Sequence, residues 1–312
     1  MKIFNNTKIS RNYKNSALAI GNFDGLHRGH QKVFKETKKF AKRKKIKFGV
    51  LTFTPLPLMF FNKDIKNFRL TSEVQKIKLF KKYQVDFVIK IKFDRKFSQI
   101  NANDFIKKII FKKMSPQSLS VSNNFKFGRK RKGDVKLLKK FSNKCNYRLL
   151  NIKPFKYSSK IVSSTRIRKC LKKGNIDLAN KLLSRTWFID GQVKKGKKLG
   201  RKLGYRTCNI KVKNYILPKA GIYSVKVSLN KKKYIYGGVA YLGSRPTFGG
   251  KEIFLETNIF GVKKSLYRKK IRVYFLKFLR KDKKFKNPIK LIRQMNKDVI
   301  LAKKGLKTKL VL

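Results

Sequence analysis

Both histidines of the chain stand in one stretch, Gly21-Asn22-Phe23-Asp24-Gly25-Leu26-His27-Arg28-Gly29-His30. An apolar run, Ala17–Ile20, leads into it, and a helical pattern leads out of it. A strand, a glycine turn and a helix N-terminus in that order make a place for phosphate. The first N–H groups of the helix have no partner within it, and its dipole favours negative charge. Gly25 and Gly29 let the backbone approach a nucleotide closely. Imidazoles at such a place can donate hydrogen bonds to phosphoryl oxygens as charge develops. Two other readings of His27 and His30 stay open. They could be a metal pair, although no Cys, Asp or Glu at ligand spacing supports it, or a satisfied structural pair.

Further on, Ser163-Ser164-Thr165-Arg166-Ile167-Arg168 opens a second helical pattern. The hydroxyls of Ser164 and Thr165 can cap that helix or bind phosphate. Arg168, one turn on, is either an anion clamp or a solvated charge. Gly191, Gly196, Gly200 and Gly204 punctuate a run of short strands. They read either as a phosphate-covering loop or as a glycine-rich hairpin.

These residues need elements to hold them. Short apolar runs predict strands at 17–20, 48–53, 86–91, 119–121 and 148–152. Helical periodicity falls at 28–45, 73–83, 102–111, 164–172 and 176–183. Alternation of this kind implies a parallel sheet with helices on its faces. From Trp187 on, the texture changes to short strands and Gly-rich turns, at 188–193, 221–229, 234–241, 253–259 and 271–279. That spacing predicts a small all-β barrel or sandwich, followed by a helix over 288–304. The expected division is residues 1–184 and 185–312.

Composition narrows the class. In 312 residues, 84 Lys and Arg against 14 Asp and Glu give a net charge of +70. Such charge suits a polyanion binder. It is spread along the whole chain together with abundant Asn, Ile and Phe, which reads as compositional drift rather than as a nucleic-acid domain. No specific nucleic-acid partner is expected. No apolar stretch approaches the length of a membrane span, and MKIFNNTKIS has no secretory core. Cys145, Cys170 and Cys208 are odd in number and far apart. They predict neither a disulfide nor a zinc site, and fit a cytoplasmic protein.

Gly-x-Phe-Asp-Gly-x-His-x-Gly-His resembles the signature of nucleotidyltransferases that act at the α-phosphate of ATP. The chain as a whole, from about Ala17 to about Phe285, resembles the prokaryotic bifunctional riboflavin kinase/FAD synthetases. Thr52-Phe53-Thr54-Pro55-Leu56-Pro57 is similar to the family's Thr-Phe-x-Pro-His-Pro, and Val121–Gly128 to its Val-Gly-x-Asn-Phe-x-Phe-Gly. Ser163–Arg168 is similar to its Ser-Ser-Thr-x-Ile-Arg. Gly200–Asn209 resembles Gly-Arg-x-Leu-Gly-x-Pro-Thr-x-Asn, and Gly238–Phe248 the family's Gly-Val-x-x-x-Gly-x-Arg-Pro-Thr-Phe. Leu255–Phe260 is similar to the strand that holds its catalytic glutamate.

The resemblance implies an α/β nucleotidyltransferase-like, Rossmann-like domain and a riboflavin-kinase-type β-barrel with a terminal helix. It implies two reactions: ATP-dependent phosphorylation of riboflavin to FMN, then adenylylation of FMN by ATP to FAD with release of pyrophosphate. It carries nucleotide and flavin binding onto Gly21, Phe23, Asp24, Gly25, Gly29, Asn124, Ser164 and Thr165. His27 and His30 are implied at the ATP phosphates and transition state, and Arg168 at the leaving group. For the kinase it implies Gly196, Gly200, Gly204, Thr207 and Asn209 at ATP, with Thr207 and Asn209 also at Mg2+. Glu256 would be the base, because a neutral hydroxyl must lose its proton as it attacks phosphorus. An ordinary strand glutamate paired with lysine remains the other reading of Glu256, as a turn asparagine does for Asn124.

The chain departs from the pattern at Leu56, Ser122, Arg206, Asn258, Gly261 and Arg268. Arg206 replaces a proline next to Thr207, which is expected either to loosen the magnesium loop or to bring a guanidinium to a phosphate. Two rivals follow: an enzyme that keeps one activity, and a basic nucleic-acid-binding protein.

Overall fold

The computed structural model describes residues 1–195, 204–229, 234–247, 250–262 and 264–306. They fall into two compact units, Met1–Lys66 with Thr71–Ser163, and Asn67–Leu70 with the residues from Ser164 onward.

The first unit is a parallel sheet of six strands, β1 (Lys2–Phe4), β2 (Ala17–Ile20), β3 (Phe48–Thr54), β4 (Phe87–Lys92), β5 (Ser118–Ser122) and β6 (Arg148–Ile152). Helices make the crossovers. They are α1 (Arg28–Arg43), α2 (Pro57–Phe61), α3 (Glu73–Lys82), α4 (Arg95–Ser98), α5 (Ala102–Asp104, continued by a helical run Phe105–Met114) and α6 (Val135–Lys144). β2 is buried throughout, and its residues point alternately to two cores. Ala17 and Ala19 join Phe34, Phe48 and Phe80. Leu18 and Ile20 join Phe105, Ile106 and Ile110. α1 supplies the first core from Val33, Phe34, Thr37, Phe40 and Ala41, which share one helical face. A hairpin of β7 (Lys156–Tyr157) and β8 (Lys160–Ile161) ends the unit.

The strand order is β1-β4-β3-β2-β5-β6. The chain therefore winds outward from β2 in one direction and then restarts at β5 in the other. In sheets of this kind the crevice for ligands opens where that reversal occurs, at the carboxyl ends of the two strands. The Gly21–His27 turn follows β2, and the Asn123–Gly128 segment follows β5.

The second unit begins with α7 (Ser164–Lys172) and α8 (Ile176–Leu183). Its strands are β9 (Phe188–Lys194), β10 (Thr207–Lys211), β11 (Gly221–Leu229), β12 (Tyr234–Thr247), β13 (Gly250–Ile259) and β14 (Lys270–Arg280). They close into an antiparallel barrel in the order β10-β13-β12-β11-β14-β9, with β9 pairing back to β10. Ile189, Ile210, Val225, Leu255, Val273 and Phe275 are buried in it. The terminal helix α9 (Pro288–Gly305) docks through its Ala302 carbonyl, which accepts from Ser224 Oγ at 3.1 Å. It also docks through Asp298, which Arg280 grips with two bonds of 2.6 and 2.8 Å.

Several elements differ from the sequence reading. Thr207–Lys211, read as part of a glycine loop, is a barrel strand, β10. α6 was not expected; it buries Leu138 and packs Val135, Leu137 and Phe141 partly buried against the same core. The compact units part at Ser163/Ser164, ahead of the change in texture. α7 and α8 lie with the barrel, where Asn180 donates to the Phe275 carbonyl and accepts from the Trp187 N–H at 2.7 Å. Asn67–Leu70 also lie there: Arg69 bridges Tyr215, and Trp187 Nε1 donates to the Leu70 carbonyl.

Candidate active sites

The glycine turn of the first unit is held from both sides. Gly21 N–H donates to the Leu51 carbonyl as the chain leaves β2. Phe23 and Leu26 take positive φ angles of 49° and 36°, and Gly25 one of 79°. Phe23 is buried, and its ring meets His30, Phe34 and Phe80 edge-on. Asp24, 4% exposed, accepts from the backbone N–H and the hydroxyl of Thr71, and that hydroxyl accepts from Gly25 N–H at 3.2 Å. A second brace runs from the Asn22 carbonyl through the Thr52 hydroxyl at 3.2 Å to the Lys76 ammonium at 3.4 Å. Lys76 is 2% exposed and pairs with Glu73 at 3.3 Å. Sequence reasoning did not find Thr71 and Lys76. Their only signal was the Ser72-x-x-Gln75 capping box that starts α3.

His27 is the N-cap of α1, and its Nδ1 accepts from the His30 N–H at 3.4 Å. That bond places the proton of a neutral His27 ring on Nε2. The two imidazoles stack at 3.7 Å between centroids. A Cβ at Gly29 would stand 3.1 Å from the His27 ring and 3.3 Å from the Val162 carbonyl, so a side chain fits here only if the imidazole or that backbone gives way by a few tenths of an ångström. Gly21, Phe23, Asp24, Gly25, His27, Gly29 and His30 are thus gathered at one helix N-terminus. Asn124, exposed in the turn after β5, accepts from Ser122 Oγ at 2.8 Å.

Ser164 and Thr165 form the first turn of α7, in the second unit. On the same helix Arg168 lies 3.6 Å over the Phe68 ring and donates from Nε to the Phe68 carbonyl at 2.8 Å.

In the barrel, β10 and β13 put three candidate residues on one face. Asn209 stands opposite Glu256, and Thr207 opposite Asn258. Residues two apart on a strand share a face, as do directly opposed residues, so all four point the same way. The alternate residues Leu255, Thr257 and Ile259 are buried on the other face. Asn209 is 6% exposed, and its Oδ1 is buried with no hydrogen-bond partner among the described residues. A buried amide oxygen without a donor calls for a ligand or a cation. With the Thr207 hydroxyl and Glu256 beside it, the donor set is all oxygen, which suits a hard cation. Burial pushes the Cys208 thiol up. Gly204 has a φ of 83°, whereas Gly196 and Gly200 lie outside the described residues.

The family model for FAD synthetase matches residues 9–166, and that for riboflavin kinase matches residues 183–306. A bifunctional riboflavin kinase/FMN adenylyltransferase of Buchnera aphidicola subsp. Schizaphis graminum is 39% identical over 93% of this chain and 94% of its own length. The chain belongs to the bifunctional riboflavin kinase/FMN adenylyltransferase family. Members from Escherichia coli K12 and Bacillus subtilis 168 are 33% and 31% identical, over 92% and 93% of this chain and 91% and 92% of their own lengths. A crystal structure from Streptococcus pneumoniae, described as a macrolide-efflux protein, aligns with a TM-score of 0.86. It is 26% identical and covers 96% of this chain and 98% of its own. Among the described residues, no helix is long and apolar enough to cross a membrane.

Against the family's pattern, two departures meet in this chain. Asn258 Nδ2 donates to the Arg206 carbonyl at 2.9 Å.

Proposed function

We propose that this chain makes FAD in two steps, phosphorylating riboflavin to FMN on the barrel and adenylylating FMN on the parallel-sheet domain. The functional division falls at residues 1–184 and 185–312, and we place the enzyme in the cytoplasm. Asn209 facing Glu256 across β10 and β13, with the amide oxygen unpartnered among the described residues, is the observation that carries the kinase reading.

In the kinase step, the 5′-hydroxyl of riboflavin attacks the γ-phosphorus of ATP. Glu256 takes the hydroxyl proton as the bond to the ADP oxygen breaks. Thr207 and Asn209 would hold Mg2+, which neutralises phosphate charge when bound. Gly196, Gly200 and Gly204 belong to the ATP-binding loop. In the adenylylation step an FMN phosphate oxygen attacks the α-phosphorus of ATP, and the bond to pyrophosphate breaks. The FMN phosphate is already an anion, so positioning and charge neutralisation carry the rate. His27 and His30 donate to the ATP phosphates from the α1 N-terminus. Gly21, Phe23, Asp24, Gly25 and Gly29 shape that cradle. Asn124, Ser164, Thr165 and Arg168 complete the adenylylation set, with Arg168 on the leaving group.

One assay tests this. With Mg2+ and ATP, FMN and FAD are separated by chromatography after starting from riboflavin or from FMN. Glu256→Gln is expected to lower FMN formation by about 100- to 10,000-fold, the usual worth of a general base, and to leave FAD formation from FMN intact. His30→Ala is expected to do the reverse. Retained FMN formation in the Glu256 variant would overturn the assignment of the base.

A further inference from the structure

The two departures that meet in the barrel do one job together. In the family's pattern a proline precedes the threonine of the magnesium loop, and its ring fixes the backbone there. This chain has Arg206 at that place, where no ring fixes φ. The Arg206 carbonyl belongs to the same peptide unit as the Thr207 N–H, because a peptide group is planar. Holding that oxygen therefore orients the backbone from which the Thr207 side chain springs. Asn258, directly opposite Thr207, donates to it at 2.9 Å. The preceding residue is tied as well: the Tyr205 hydroxyl bonds Asn296 Oδ1 on α9. The entry into β10 is thus fastened at two successive residues, through the backbone of one and the side chain of the other.

We infer that Asn258 is a positioning residue of the kinase site: its hydrogen bond holds the 206–207 peptide plane ahead of Thr207, so it limits the entry into β10 where a proline would limit it one bond earlier, at φ of residue 206. The inference rests on the reading that Thr207 and Asn209 serve ATP and Mg2+. It also reverses the expectation that Arg206 loosens this loop.

The test uses the full-length chain and steady-state kinetics of FMN formation. Asn258→Ala and Asn258→Thr both remove the donor, and threonine keeps strand propensity. Each is expected to raise KM for ATP and the Mg2+ concentration at half-maximal rate by about 3- to 10-fold, the worth of one hydrogen bond. FAD formation from FMN should not change. Adding Arg206→Pro to either variant is expected to restore most of the loss. A residue needed only for barrel stability would not be rescued by a ring at 206. Wild-type KM values in both variants, or double variants no better than the singles, would overturn the inference. Asn209→Ala separates the two claims. If it abolishes FMN formation while the Asn258 variants behave as wild type, only the inference fails. If Asn209→Ala is itself silent, the reading of the site fails.

Discussion

Thr71 holds two parts of the glycine turn at once. Its hydroxyl accepts from Gly25 N–H and meets Asp24 Oδ1, and its N–H donates to the same carboxylate. Removing that hydroxyl takes one hydrogen bond each from the Gly25 N–H and the Asp24 carboxylate, about 0.5–1.5 kcal/mol apiece. Thr71→Val is expected to lower kcat/KM for FAD formation from FMN at least fivefold and to leave FMN formation from riboflavin unchanged. An unaltered kcat/KM would show that the turn keeps its shape without this brace. Cys208 gives a pH dependence of known sign. Burial raises its thiol, so above the ordinary thiol pKa of about 8.5 the folded chain keeps a proton that the unfolded chain loses. The folded state then binds more protons, and stability falls as pH rises past that value. Cys208→Val should flatten this loss between pH 8 and 10 in urea titrations, and an unchanged slope would assign the loss to other groups.

At the scale of elements, α9 is fastened by charge. Asp298 is almost wholly buried, with Arg280 at 2.6 Å and Gln294 Nε2 at 3.0 Å. Removing the acid leaves the Arg280 guanidinium uncompensated, at a cost of about 3–5 kcal/mol. Asp298→Ala is expected to lower the unfolding free energy of the barrel by that much, read as a lower denaturant midpoint at unchanged slope. The double change Asp298→Leu with Arg280→Met should recover part of it, and a single variant as stable as wild type would mean that the other contacts of α9, among them the Ser224 hydroxyl on the Ala302 carbonyl, are enough to hold it. Elements of this kind were unevenly legible in the sequence. β2, its turn and α1 were plain, because a four-residue apolar run, three glycines and a helical stripe follow one another locally. β10 was not, because five residues after a glycine loop carry no alternation that separates strand from loop. Lys76 was invisible for a different reason. One lysine among 84 basic residues has no signature, and its partner Thr52 lies 24 residues away, in a pairing only the folded sheet creates. Asn258 was visible as a departure from a pattern. Its partner was not, because the bond exists only once β13 lies beside β10.

For the molecule as a whole, the governing fact is that 14 acids cannot neutralise 84 bases. Asp190, Asp298, Asp134, Asp104, Glu73 and Glu252 each already stand in an ion pair. Most of the positive charge therefore faces only other positive charge and solvent. Self-repulsion of this kind destabilises the compact state relative to the expanded one, because unfolding moves like charges apart. Salt reduces it: the screening length falls from about 30 Å at 0.01 M to about 8 Å at 0.15 M. Raising NaCl across that range is expected to raise the melting temperature by several degrees. The same change should raise KM for ATP and FMN, since the field that repels the chain from itself attracts these anions. A specific RNA or DNA site would behave differently. It would survive physiological salt and discriminate between nucleic acid and heparin, whereas general charge attraction weakens toward both in parallel. A melting temperature that stays flat or falls with salt would mean that bound anions already compensate the charge, and a salt-resistant preference for one nucleic acid would give the excess of lysine a binding role of its own.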